Sequence, residues 1–241
     1  MRAGAGSEVR TSAALESSAA LTGPRLALRT KGTVRGLIGE LPADLHRVVA
    51  ALGAAIAFFG LMGTVYYATY APVLDPFDVN GEIAHGFNAA AIFSGGLLFG
   101  ASLAAFGEWR SRTMPRWAWL GIASFFAFMG VDELATIHEH LESLAGVDWQ
   151  LLYLPFAALG GVFWLAVLRR ISLSRLARLL WAGGVVAWLI AQVIEHVEFD
   201  NHGHAAASGP ALILCEEIWE MIGSSLFLLA ILIFARQGAD G

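Results

Sequence analysis

The chain has 241 residues, of which 57% are Ala, Val, Ile, Leu, Met, Phe, Trp, Tyr or Cys, and its formal net charge is −5. Apolar residues at that density, arriving in unbroken runs, exclude an ordinary soluble domain, and an acidic balance without a basic stripe excludes nucleic-acid binding. A single cysteine, Cys215, excludes an intrachain disulfide whatever the redox compartment.

Residues 1–46 are rich in Ala, Ser, Gly, Thr and Arg and hold no long apolar run. They read as a cytoplasmic tail, disordered or lying on the membrane surface, and not as a cleaved signal peptide. Six apolar windows follow, at about 48–71, 86–107, 117–138, 151–168, 177–198 and 211–234, each close to the ~20 residues that a ~30 Å hydrocarbon core requires. The expected fold is all-α: a six-span transmembrane helical bundle over 47–236, with 237–241 as a short C-terminal tail.

All 15 Arg and Lys fall in four places: the N-terminal tail, "EWRSRTMPR" between spans two and three, "RRISLSRLAR" between four and five, and Arg236 after six. The positive-inside rule then puts both termini in the cytoplasm and turns loops 72–85, 139–150 and 199–210 outward, in a plasma (inner) membrane. Tyr66, Tyr67, Tyr70, Trp149 and Tyr153 are expected at the outer interface, and Trp109, Trp117 and Trp181 near the inner one. Gly96-x-x-x-Gly100 and the pairs Gly160/Gly161 and Gly183/Gly184 offer places for close helix packing.

Against this apolar background the acids stand out. Span three supplies Asp132, Glu133, His138 and Glu139; span five supplies Gln192, Glu195, His196 and Glu198; span six supplies Glu216, Glu217 and Glu220; and Glu82, His85 and Asn88 open span two at the same depth. At 100° per residue, Glu139, Asp132, Thr136, His140 and Glu133 share an arc of about 120°, while His138 falls outside it unless the helix is distorted or ends there. Glu216, Glu217, Glu220 and Ser224 share an arc of about 100° on span six, and Gln192, Glu195 and His196 share another on span five. Three polar stripes at one depth predict that they face each other inside the bundle. Glu142, Asp148, Glu198, Asp200, His202 and His204 read instead as solvated loop residues, and Thr136, Gln192 and Ser224 as parts of a structural polar network.

The outer half of the membrane domain has no Lys or Arg, so no salt bridge from those residues can neutralise the buried acids. Either protons or an external cation must do so. Carboxylates accompanied by imidazoles suit a divalent transition metal, Zn, Fe or Mn, as one or two ions. Glu133, His138, Glu139, Glu216 and Glu220 are the expected metal ligands; His196, Asp132 and Glu217 are the expected catalytic or supporting groups, with Glu195 beside them. Known local signatures do not fit. "HEHLE" is not the zinc-protease His-Glu-x-x-His, only Glu82/His85 has the di-iron Glu-x-x-His spacing, and "DPFDVNGE" lacks the first and twelfth ligands of a calcium loop.

The combination of "DPFDVNGE" before span two, "DELATIHE" closing span three, a Glu-His near the end of span five and "EEIWE" opening span six resembles an uncharacterised family of small bacterial and archaeal polytopic membrane proteins. The likeness covers roughly residues 73–235, with signature positions at Asp132, Glu133, His138, Glu139, Glu216, Glu217 and Glu220. The resemblance implies a shared site and brings no activity with it.

Three functions are compatible with these residues. The first is a metal-dependent membrane hydrolase or oxidoreductase acting on a lipid or other amphipathic substrate at the outer interface. The second is a proton or cation transporter or channel. The third is a structural or accessory subunit whose polar cluster only orders the bundle. The lipid bilayer is the expected partner in each; oligomeric state has no signature in the sequence.

Overall fold

A computed structural model describes residues 41–70, 83–111, 113–135, 137–147, 149–171, 175–201 and 209–239, with backbone only for 66–70, 83–89, 139, 142–143, 198–201, 209–210 and 238–239. After a 3-10 turn at Ala43–Leu45, the described residues form seven helices. These are α1 (His46–Tyr70), α2 (Ile83–Arg110), α3 (Arg116–Ala135), α4 (Ile137–Ala145), α5 (Trp149–Ile171), α6 (Arg175–Asn201) and α7 (Gly209–Ala239). All but α4 are long and apolar enough to cross a membrane. The fold is therefore the expected all-α bundle of six spans.

Local chemistry sets several helix ends. The Pro115 carbonyl, just before α3, accepts the Ala118 N–H at 3.1 Å and so opens the helix. Gly146, at φ +66°, follows the last turn of α4 and supplies the left-handed residue that stops it. Arg110, Arg169, Arg170 and Arg236 sit in the last turns of α2, α5 and α7, where a cation complements the carbonyl end of the helix dipole. Arg236 also reaches Asp44 at 3.1 Å, tying the last helix to the turn before α1. The bundle thus has a basic end and an acidic end.

In lipid, burial of apolar surface hardly drives helices together, so close backbone approach and side-chain packing must. The α2–α3 crossing is made at Gly95 and Gly130: a methyl group on either would stand 3.0 Å from the other's carbonyl oxygen. The α6–α7 crossing is made at Gly184 and Gly223, where a methyl on Gly223 would come within 3.1 Å of the Gly184 carbonyl and overlap Trp188. The expected packing residue Gly96 meets nothing within 4 Å, because the contact runs one residue earlier, through Gly95. Of the Gly160/Gly161 pair only Gly160 packs, against Phe125.

The core is aromatic. Phe126, Trp181 and Phe227 pack with ring centroids 5.0–5.9 Å apart, and Trp119 stacks on Phe234 at 5.3 Å. Trp181 is 0% exposed and donates to the Trp164 carbonyl at 3.3 Å. It is a core residue and not the interfacial anchor that its position in the sequence suggests. The same correction applies to Trp149, which is 6% exposed.

Candidate functional site

The site begins near the end of span three. The window expected at 117–138 is described as α3 up to Ala135 and as α4 from Ile137, with 136 outside the described residues. Asp132, 0% exposed, joins the two. Its Oδ1 accepts the backbone N–H of His138 at 3.1 Å, satisfying a donor in the first turn of α4 that has no partner within that helix. Its Oδ2 accepts from the His138 ring Nδ1 at 3.0 Å. The Tyr153 hydroxyl of α5 donates to Oδ1 at 2.9 Å. One carboxylate therefore gathers three donors from α4 and α5, and it holds His138 beside Asp132 although the phase of a single regular helix would set the two apart.

His138 lies beyond the membrane-spanning windows with its side chain 15% exposed, its ring 4.9 Å from that of Trp149. Burial disfavours its charged form, but the Asp132 hydrogen bond and the charges of Glu195, Asp132 and Glu133 outweigh burial and push its pKa up from 6.5 to about 9. Because the carboxylate holds Nδ1, the other ring nitrogen, Nε2, is left for a further partner.

The start of α5 carries a second set of bonds. Trp149 Nε1 donates to Glu195 Oε1 at 2.5 Å, and the Gln192 amide donates to Glu195 Oε2 at 3.1 Å. The Gln150 amide donates to the Gln192 carbonyl at 2.8 Å. These bonds fasten the acidic end of α5 to α6. Gln192 and Ser224, which accepts from Trp188 Nε1 at 3.3 Å, take the structural roles expected of them.

Glu133 of α3 and Glu220 of α7 are 7% and 6% exposed. The two stand close enough to act on each other electrostatically, and Glu195 of α6 acts on both. Glu216 and Glu217, half-buried on α7, act on Glu220 in the same way. The three acidic stripes thus converge. Two buried carboxyl groups so placed need a proton or a cation between them, since two bare carboxylates would repel.

Other candidates are placed differently. His196 is exposed on α6, and His140 is exposed on α4. The side chains of Glu139, Glu142, Glu198, Asp200, His85 and Asn88 lie outside the described residues, as do Glu82, Thr136, Asp148, His202 and His204. Among the described residues, no three His, Cys, Asp or Glu side chains stand together in a way that could hold a metal ion. The residues that sequence reasoning missed are Trp149, Gln150 and Tyr153. Trp149 and Tyr153, four apart, lie on one face of α5, and their polar tips at the head of an apolar span were the available signal.

Six helices able to cross a bilayer and a buried carboxyl network at one end define a multi-pass helical membrane protein. Residues 47–235 match the family described as Domain of unknown function (DUF8692), and the chain belongs to that family. No curated protein and no solved structure matches the chain.

Proposed function

We propose that the acidic end binds a divalent transition metal, Zn, Fe or Mn, and that the protein is a metal-dependent membrane enzyme with this end turned outward and both termini in the cytoplasm of a plasma-membrane protein. The observation that carries the reading is the nearness of Glu133 and Glu220, two buried carboxyl groups on different helices that act on each other electrostatically, in a half of the membrane domain without Lys or Arg. An ion between them would relieve the cost of burying both charges.

Glu133 and Glu220 would supply oxygens, and His138, which does not stand with them as a ligand set in this structure, would close on the ion through Nε2. Glu139 and Glu216 would complete the set or hold a second ion. Asp132 is then a positioning residue: it fixes the His138 ring and tautomer, as carboxylates commonly do for metal-binding imidazoles. Glu217 and the exposed His196 remain for proton transfer. A metal held here would lower the pKa of a bound water and make a nucleophile at neutral pH. The Arg and Lys distribution supports the orientation.

Elemental analysis of detergent-purified protein tests the reading. The wild type should carry one or two equivalents of metal, and a Glu133→Gln/Glu220→Gln variant should lose about tenfold or more in affinity. Equal, near-zero metal in both proteins would overturn it.

A further inference from the structure

A cavity of about 260 Å³ lies between α3, α5 and α6. Its walls are apolar and largely aromatic, among them Phe125, Phe126, Phe156, Trp164 and Phe227. Polar side chains gather at one end. There Trp149 and Gln192 bond to Glu195, and Tyr153 bonds to Asp132. From Trp149 to Trp164 the α5 wall runs about 22 Å at ~1.5 Å per residue, so the space is elongated along the membrane normal rather than across it.

The wall is incomplete on the side facing lipid. Ala157 and Leu189, the latter 59% exposed, line the cavity, and a methyl group on Gly161 would meet nothing within 4 Å. On its other flank α5 is interlocked with α3, since Gly121 is filled by Phe163 and Gly160 by Phe125. The opening therefore lies between α5 and α6. Water would find almost no partners along such walls. The apolar molecules at that depth in a bilayer are lipid tails.

The geometry points to this cavity as the binding site for one acyl chain of a membrane lipid, which enters sideways between α5 and α6 and sets the lipid's polar head against the Asp132–His138–Glu195 network. The inference rests on the proposed metal-dependent reading for any chemistry on that lipid, and on the cavity alone for its binding.

The test uses the full chain in nanodiscs of phosphatidylcholine doped with the same lipid carrying a diazirine midway along one chain. After illumination, label should appear on Phe126 and Phe227, which are 2% and 6% exposed and out of reach of bulk lipid. Gly161→Phe, which fills the cavity, should lower that label about tenfold, equivalent to ~1.4 kcal/mol. Leu189→Trp, a change at an exposed lip position that does not burden folding, should lower it in the same sense. Label confined to lipid-facing positions, or inner label unchanged in a folded Gly161→Phe or in Leu189→Trp, overturns the inference. Metal measured in the same samples separates the two proposals. Inner label without metal removes the metal reading alone; metal without inner label removes the acyl site alone.

Discussion

Where α6 crosses α7 the backbones meet at Gly184 and Gly223, and 56% of the α7 window is buried. Among the described residues no glycine of α5 meets α6 in this way; only 11% of the α5 window is buried, and polar bonds at the acidic end join it to α6. One bundle thus combines two kinds of cohesion. Steric fit between glycines makes a rigid wall, while a few directional bonds, at the acidic end and again between Trp181 and the Trp164 carbonyl, leave the stretch of α5 between them free to border a cavity.

Removing the bonds that hold the loose side should have the largest effect. Asp132→Ala leaves the His138 ring, the His138 N–H and the Tyr153 hydroxyl without their acceptor, and should cost about 3–5 kcal/mol in detergent unfolding, with early protease cleavage near α4. A loss under 1 kcal/mol would mean that α5 is held by something other than this carboxylate.

A smaller loss should follow pH in metal-depleted protein. The folded state raises the His138 pKa to about 9, so this group's stabilisation is fully present below pH 6.5 and disappears as pH rises through 9. The groups acting on the ring are Asp132, Glu133 and Glu195. Hydrogen exchange in α4 measured between pH 6.5 and 9.5 should accelerate beyond the intrinsic pH dependence, and His138→Gln should abolish that excess. An excess that persists in the variant would assign it elsewhere.

The glycine crossings give the next contrast. Gly130→Ala pushes a methyl against the Gly95 carbonyl and should cost about 1–3 kcal/mol, whereas Gly161→Ala projects into open space and should stay within about 0.5 kcal/mol. Equal melting shifts would erase the distinction between the two sides. The smallest effect belongs to Tyr153→Phe, which deletes one of the three bonds to Asp132 and should cost about 1 kcal/mol while leaving the fold intact.

Much of this arrangement was legible in the sequence. Hydropathy marks six spans because a bilayer demands long apolar helices, and helical phase alone brings Glu133 and Glu220 toward each other. The bond from His138 to Asp132 was not legible as a fact, only as a condition that the helix be distorted or end, because it depends on a side chain of α3 reaching a backbone donor of α4. Trp149 and Trp181 misled for a related reason. An aromatic ring with one polar atom suits both the headgroup region and a buried site that offers an acceptor, and only the three-dimensional neighbours decide between them. The packing glycine was off by one residue for want of the crossing geometry: Gly95 and Gly96 are neighbours in the chain but lie about 100° apart around the helix.

The pairing of Glu133 with Glu220 bears on biogenesis. Glu220 belongs to the sixth span, so when the third leaves the ribosome its partner has not yet been synthesised. Asp132 likewise waits for Tyr153 of the fourth. The polar end of the bundle is therefore complete only after the sixth span has been made, however early the third enters lipid.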